Sequence, residues 1–172
     1  MELVDLYDEN RLPLGKTAER HDRRRPGEYR TVVHVCLFDS RGRLLIQQRS
    51  QEKDACPGAW DVSAAGGVDA GETSCQAAER EFREELGVAL SLEGVRPSVT
   101  VQFDGGFDDF FLAERDLALE ELTLQTEEVS DARWAELPEV LEMVEQGTFL
   151  PYPKSFLMLL FDLHGKKNFF MM

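Results

Sequence analysis

Basic residues are scarce in this sequence. Among its 172 residues, 19 are Lys or Arg and 33 are Asp or Glu, so the formal net charge is −14 at pH 7. Affinity for a nucleic-acid backbone depends on a basic surface that displaces counterions, which argues against binding to DNA or RNA polymers. An acidic chain that binds a small polyanion needs local arginines or divalent cations. One basic cluster spans residues 19–30, and both a phosphate-binding role and a solvated connector are compatible with it.

Long apolar runs are missing and cysteines are few. No run approaches the roughly 18 to 20 apolar residues that cross a bilayer. The first residues, MELVDLYDEN, lack the basic and apolar regions of a signal peptide, so we expect a cytoplasmic protein that does not enter a membrane. Cys36, Cys56 and Cys75 have no metal-ligand spacing and cannot all pair, which suits packing thiols in a reducing compartment.

The apolar content is sufficient for one globular core, with 42% hydrophobic and 30% charged residues. No repeat and no linker-like stretch appears, so we predict a single domain over residues 1–172. Strand patterns dominate. We expect strands at 3–8, 31–39, 44–50, 59–67, 95–103, 107–115 and 129–137, and helices at 138–147 and 153–165 in addition to one after residue 73. Hairpins are predicted at 31–50 and 95–115, and the whole pattern indicates an α/β fold with a mixed sheet.

The segment 65–88, AGGVDAGETSCQAAEREFREELGV, contains a helix with clear ends. Thr73 and Gln76 form a capping-box pattern, and Gly87 lies where a left-handed cap residue is favoured. At about 100° per residue, an apolar stripe faces the core and three carboxylates occupy the adjacent arc. The stripe is Cys75, Ala78, Phe82 and Leu86, and the carboxylates are Glu81, Glu84 and Glu85.

The three carboxylates are close enough to repel one another, by a few tenths of a kcal/mol for each pair. A solvated helix face, the usual explanation of an acidic helix, would pair Glu with Lys or Arg at four-residue spacing, and we expect no basic partner for these three. A hard divalent cation with oxygen ligands would convert the repulsion into binding. The preceding glycines would let a backbone carbonyl approach the same ion.

The same segment resembles the Nudix box, the signature of Nudix hydrolases. Its fixed positions are all filled at the correct spacing, by Gly66, Glu72, Arg80, Glu81, Phe82, Glu84, Glu85, Gly87 and Val88. The resemblance implies a Nudix-type α/β/α sandwich with a mixed sheet. It also implies a hydrolase, with Mg²⁺ or Mn²⁺ as cofactor, that cleaves a phosphoanhydride bond in a nucleoside diphosphate-linked or similar small diphosphate.

The resemblance implies roles for individual box residues. Glu81, Glu84 and Glu85 would be the catalytic carboxylates and metal ligands, with the Gly66 carbonyl as a further ligand. Glu81 is our first candidate for the base that activates water, and a carboxylate from a later loop is the alternative. The remaining two charged positions, Glu72 and Arg80, would form a charge-assisted pair that fixes the loop against the helix.

Two further candidates lie outside the box. An acid after the box often completes the metal site, and we expect Glu128 in that role, with Glu127 second; two surface glutamates at the start of a strand explain them equally well. Arg49, at the end of a predicted strand, is a candidate phosphate contact. An ordinary surface arginine is the competing and slightly favoured interpretation.

Two alternatives to hydrolysis remain. The residues before the box are similar to those of type I isopentenyl-diphosphate isomerase, but that branch has a catalytic cysteine and a metal-binding histidine where this sequence has Ala65 and Gly67. The other alternative is a non-catalytic ligand-binding module, which usually lacks box glutamates that are all present here. The predicted strand at 3–8 is followed by turn residues and a return, which together predict an N-terminal hairpin. This hairpin and the final residues 166–172 are candidate contact surfaces for a homodimer, although the phenylalanines of 166–172 could instead pack on their own core.

Overall fold

A computed structural model describes residues 2–166. The strands are β1 (Leu3–Tyr7), β2 (Pro13–Glu19), β3 (Arg30–Phe38), β4 (Leu44–Arg49), β5 (Trp60–Asp61), β6 (Ala64–Gly67), β7 (Val99–Phe103), β8 (Gly106–Glu114) and β9 (Val129–Ala135). The helices are α1 (Ser74–Leu86), α2 (Leu137–Glu145) and α3 (Lys154–Leu163). The predicted contact segment 166–172 lies outside the described residues except for Lys166. Across residues 2–166, none of the helices has the length and apolar character to cross a bilayer.

The main sheet is mixed and has seven strands. Its one parallel pair is β3 with β8, which run side by side over their whole length, and its other pairs are antiparallel. The predicted hairpin of β7 and β8 is present, although β7 begins only at Val99. The predicted strand at 129–137 is β9, which pairs with β4.

The predicted hairpin of β3 and β4 opens immediately after its turn, where Phe38 pairs with Leu44. The segment predicted as one strand at 59–67 enters this opening as two strands, because β5 pairs with β4 and β6 pairs with β3. Ser63 joins the two sides: its hydroxyl accepts from the Leu37 amide at 2.8 Å and donates to the Leu45 carbonyl at 2.6 Å. This insertion brings the glycine-rich end of β6 alongside the central strand.

Helices cover both faces of the sheet because the residues of β3 alternate between them. On one face, Val33, Val35 and Leu37 pack in the same core as the apolar side of α1. On the other face, Cys36 and Phe38 pack with apolar residues of α2 and α3, namely Val140, Met143, Leu157, Leu160 and Phe161. The architecture is therefore the expected α/β/α sandwich.

The ends of α1 are those that the sequence predicts. The Thr73 hydroxyl accepts from the Gln76 amide, and the Gln76 side chain accepts from the Thr73 amide, which completes the capping box. Gly87 ends the helix at φ 74°, and a Cβ there would lie 2.7 Å from the carbonyl oxygen of Thr123. Between these caps, the apolar residues of α1 pack against the sheet, and Glu81 and Glu85 are buried on the same side.

The β1–β2 hairpin is a separate sheet that is fixed to the rest of the molecule by several hydrogen bonds. Tyr7 and Tyr29, which lies just before β3, exchange backbone hydrogen bonds of 2.8 and 2.9 Å. Between the hairpin strands, Arg11 donates through both terminal nitrogens to the buried carboxylate of Asp109 on β8. At the loop before α1, the Ala70 amide donates to the Leu3 carbonyl and the Gly71 amide donates to the Asp5 carboxylate, both at 2.8 Å. The hairpin is thus held next to the segment that carries the box residues.

Candidate active site

A cavity of about 340 Å³ lies beside the carboxylates of α1. Its acidic lining residues are Glu2, Asp69, Glu81, Glu84, Glu85 and Glu128, and its basic ones are Arg20, His21, Lys53 and Arg80. The remaining lining residues are Ala65 and Gln125. The structure therefore brings the three box carboxylates and Glu128 to one cavity, as expected, and adds basic residues from two other parts of the chain.

Glu85 is the most buried of the cavity carboxylates, with 4% of its surface exposed. Its Oε2 accepts from the Gln47 side chain at 2.9 Å and from the Ala65 amide at 3.2 Å. Burial, followed by the charge of Glu81, raises the pKa of Glu85 to about 8, although the two hydrogen bonds and Lys53 act in the opposite direction. A carboxyl with this pKa binds a proton readily and would ionise when a cation enters the cavity.

Glu81 is also buried, at 7% exposure, and its carboxyl group lies against Gly66. A Cβ at position 66 would overlap that carboxyl group, so only glycine leaves it room. Burial raises the pKa of Glu81 despite the bond that it accepts from Arg80 at 2.8 Å. The glycine of the box therefore determines where this carboxylate can lie.

The expectation that these carboxylates have no basic partner is wrong for two of them. Arg80 Nη1 donates to Glu81 at 2.8 Å and to Glu84 at 3.2 Å. The Glu84 side chain is about half exposed. Because Arg80 precedes Glu81 and lies one turn before Glu84, its side chain reaches both, and it offsets part of their repulsion.

Arg80 also connects the helix to the loop before it. Its Nε and Nη2 donate to the two carboxylate oxygens of Glu72, each at 2.9 Å, and Nη2 donates to the Gly67 carbonyl at 3.0 Å. The bonds from Arg80 lower the pKa of Glu72. The contact predicted between Glu72 and Arg80 is therefore present, and it fixes the loop to the first half of the helix.

Glu128 reaches the cavity from the loop before β9, which packs against the C-terminal end of α1. The Gln125 amide donates to the Glu85 carbonyl at 2.9 Å, and the Glu128 carbonyl accepts from the Ser50 amide at 2.8 Å. The Glu128 carboxylate forms an ion pair with Lys53. Glu127 is exposed and is not among the lining residues, so the structure favours Glu128 of the two predicted candidates.

The structure does not bring Arg49 to the cavity. Its guanidinium donates to the Ala55 carbonyl at 3.0 and 2.8 Å and lies 3.9 Å from the buried carboxylate of Asp61. The arginine that does line the cavity besides Arg80 is Arg20, from the basic cluster at 19–30. Lys53 also lines the cavity, but its sequence context does not predict this, because a lysine in a polar loop is an ordinary surface residue.

The NUDIX domain model matches residues 28–155, which is most of the chain. The protein belongs to the Nudix family. A protein described as an uncharacterized Nudix hydrolase from Listeria monocytogenes is 47% identical over 163 residues, covering 95% of each chain. The resemblance proposed from the box is thereby confirmed, and the chain is a Nudix hydrolase, the class of enzyme that cleaves pyrophosphate linkages.

Two further similarities concern the branch and the fold of this Nudix protein. An isopentenyl-diphosphate Delta-isomerase from Streptomyces coelicolor is 34% identical over 154 residues, which are 86% of this chain and 77% of that protein. The crystal structure of DR0079 from Deinococcus radiodurans superposes with a TM-score of 0.73 and 26% identity, covering 92% of this chain and 97% of that one. The fold is therefore the Nudix fold, and the predicted likeness to isomerases is confirmed.

Nudix hydrolases generally use divalent metal ions, and the cavity has suitable donors for one. Within residues 2–166 no three His, Cys, Asp or Glu side chains are arranged as a metal-binding group. The box carboxylates are bonded to protein donors instead, namely Arg80, Gln47 and the Ala65 amide. The three box carboxylates nevertheless line one cavity with Glu128. Carboxylate oxygens are the ligands that Mg²⁺ and Mn²⁺ prefer. The donor set fits such an ion once these carboxylates turn from their present partners.

Proposed function

We propose that this Nudix hydrolase cleaves the phosphoanhydride bond of a nucleoside diphosphate-linked or similar small diphosphate and requires Mg²⁺ or Mn²⁺. The observation that carries the proposal is the burial of Glu81 and Glu85 side by side at one cavity. Burying two carboxylates with raised pKa values lowers the stability of the fold at neutral pH. A bound divalent cation would offset this loss, because it binds the ionised carboxylates.

The metal would be held by side chains from α1 and from the loop before β9. The proposed ligands are Glu81, Glu84, Glu85 and Glu128, with the Gly66 carbonyl as a further one. Bound there, the cation would neutralise the anhydride oxygens and lower the pKa of water. Arg80 and Glu72 have a structural role in this proposal, because their pairing keeps the loop and the helix in one arrangement.

Glu81 is the proposed general base. It lines the cavity, and its raised pKa brings the carboxylate closer to the range in which it accepts a proton at neutral pH. Glu128 is the alternative, since it is the carboxylate that the later loop contributes to the same cavity. Exchanging each for Gln and comparing the pH dependence of kcat distinguishes them, because loss of the base removes the acidic limb of the profile.

Hydrolysis is favoured over isomerisation at the positions where the isomerase branch has its cysteine and histidine. Ala65 lines the cavity with a methyl group, and its amide is engaged with Glu85. Gly67 has no side chain, and the Arg20 guanidinium lies next to it. A non-catalytic binding module is the less favoured alternative, because no box carboxylate has been lost.

The test is a turnover assay against a broad panel of nucleoside diphosphate-linked compounds and other small diphosphates, with the products identified. We expect phosphoanhydride cleavage in Mg²⁺ or Mn²⁺ and none after exhaustive EDTA treatment, with activity restored by added metal. Activity that survives metal removal would contradict the metal requirement. Binding without turnover across the panel would instead support the binding-module alternative.

Other predictions accompany this function without bearing on the chemistry. We propose that residues 1–172 form one Nudix domain, of which the family model matches 28–155. A cytoplasmic location and a homodimer also stay predictions, supported respectively by the composition and by the accessible N-terminal hairpin. Sedimentation at several protein concentrations tests the dimer.

A further inference from the structure

The β1–β2 hairpin precedes the stretch that the family model matches, yet it forms part of the cavity wall. Glu2, just before β1, and Arg20 and His21, just after β2, all line the cavity. The hairpin is held in place by the pair of Arg11 with Asp109 and by its bonds to the loop at 70–71. Its lining residues therefore belong to the folded site.

Arg20 occupies space that the absence of a side chain at Gly67 provides. A Cβ at position 67 would lie 3.1 Å from Nε and 3.3 Å from Cζ of Arg20, which is tight enough that the guanidinium would have to shift by a few tenths of an ångström. Arg20 Nη1 donates to Glu2 at 2.7 Å. Arg24 Nη2 donates to the carbonyls of Glu19 and Arg20, at 2.7 and 2.9 Å, and fixes the backbone just after β2.

Each strong cation of the cavity has an acidic partner, but within residues 2–166 only Arg20 keeps two guanidinium nitrogens without one. Arg80 uses all three of its guanidinium nitrogens on Glu72, Glu81, Glu84 and the Gly67 carbonyl, and Lys53 is paired with Glu128. Arg20 makes its only side-chain hydrogen bond within residues 2–166 to Glu2, through Nη1. Its Nε and Nη2 remain for a ligand, in the fork arrangement that matches phosphate oxygens.

We propose that Arg20 binds the diphosphate of the substrate directly, so that the segment just after the N-terminal hairpin contributes a contact to the substrate. This inference rests on the proposed function, since it assigns the anion that the α1 carboxylates would help to cleave. The Glu2 carboxylate accepts from Nη1 of the Arg20 guanidinium, and both residues line the cavity. The absence of a side chain at Gly67 leaves the space that the Arg20 guanidinium occupies.

The experiment measures binding of methylenediphosphonate, a diphosphate analogue that cannot be hydrolysed, by calorimetry in the presence of Mg²⁺. We expect Arg20→Ala to raise Kd at least about tenfold, because it removes a bidentate charged contact. Arg20→Lys should lie between that variant and the wild type, because a single ammonium replaces the fork. Arg23→Ala is the matched control: it removes one exposed charge from the same basic cluster outside the cavity, and it should change Kd less than about twofold.

Gly67→Ala provides a second test that keeps the arginine. Its added methyl group should shift the Arg20 guanidinium by a few tenths of an ångström and weaken binding less than Arg20→Ala does. Together with Arg20→Lys, it carries the test if Arg20→Ala does not fold. The inference is overturned if the wild type fails to bind the analogue at millimolar concentration, or if folded Arg20→Ala binds it as the wild type does. Because binding is measured without turnover, the inference can stand when the hydrolysis panel is negative, and it can fall when that panel is positive.

Discussion

Gly66 and Glu81 fit together so closely that the carboxyl group of Glu81 takes the place of a side chain at position 66. Gly66 lies on β6 opposite Val33, and Glu81 projects towards it from α1. The backbone of Gly66 is not in the left-handed region, so its requirement for glycine is steric. A methyl group there would force the carboxylate or the helix to move.

Gly66→Ala should therefore lower kcat by at least about tenfold, since even a displacement of about 1 Å at an active site is costly. It should also destabilise the fold by about 1 to 3 kcal/mol, the usual range for overpacking. Placing Gly66→Ala in a Glu81→Ala background removes the collision, so the stability loss should become smaller in denaturant titrations. Equal losses in both backgrounds would show that the two residues are not coupled.

Glu85→Gln should reduce kcat by at least about a hundredfold, comparable to losing one strong electrostatic contribution to the transition state. The substitution keeps the size of the side chain but removes the negative charge that a cation needs. Turnover under saturating metal and substrate measures the effect, and circular dichroism checks the fold. Near-normal turnover in a folded variant would exclude Glu85 as a ligand.

The stability of the metal-free protein should decrease as the pH rises from about 5 to about 8. The pKa of Glu85 is about 8 in the folded protein against an ordinary value of 4.5, so the folded state binds a proton that the unfolded chain has released. Glu85→Gln cannot ionise and should show a shallower decrease, with the residual slope due partly to Glu81, whose pKa is also raised. Urea titrations in EDTA across this range measure both slopes.

The matched control for this pH dependence is Glu84→Gln, because Glu84 is about half exposed and lies on the same helix. Its slope should follow that of the wild type. A Glu85→Gln protein with the wild-type slope would show that the buried carboxyl does not hold its proton.

Breaking the pair of Glu72 and Arg80 should destabilise the fold. Both side chains are mostly shielded, at 25% and 20% exposure, and two parallel hydrogen bonds join them. We expect Glu72→Gln to cost about 1 to 3 kcal/mol, below the range for fully buried pairs. Arg80→Met should cost more, because Arg80 also bonds Gly67 and two box carboxylates. A double-mutant cycle without coupling energy would contradict the pairing.

The protein should not interconvert isopentenyl and dimethylallyl diphosphate, despite its similarity to an isomerase. That reaction protonates an unactivated double bond and removes a proton elsewhere, so it needs acid and base groups on both sides of a dry pocket. Ala65 has no proton to exchange. Incubation with isopentenyl diphosphate and Mg²⁺ or Mn²⁺ in deuterated water, followed by NMR, should leave the double bond in place. Deuterium incorporation with formation of the isomer would require another acid, such as Cys56 or a tyrosine.

The features that the sequence predicts well depend on local interactions. The bounds of α1 follow from a capping box of residues three apart and from a glycine that adopts a positive φ at the helix end. The burial of Glu81 and Glu85 follows from helical periodicity, since they lie next to the apolar stripe. The contact of Glu72 with Arg80 came from the family signature, and its geometry is two hydrogen bonds of 2.9 Å.

The features that it predicts poorly depend on which distant segments meet. The division of 59–67 into two strands arises because β5 and β6 pair with different neighbours, and Ser63 gives no local sign of this. Arg49 was a reasonable candidate at the end of a strand, but the path of the loop after it provides a carbonyl that binds its guanidinium. Arg20 reaches the cavity because a hairpin distant in sequence docks against the loop before α1.

Because β3 pairs with β8, one edge of the central strand has no native partner until late in synthesis of the chain. β3 is complete at Phe38, but the strand that covers one of its edges begins only at Gly106. Until the ribosome has released that later strand, the central strand lacks hydrogen-bond partners along this edge, where a second nascent chain could pair with it. The order of strands in the native sheet thus creates a period of vulnerability to aggregation that ends only when the second half of the protein is available.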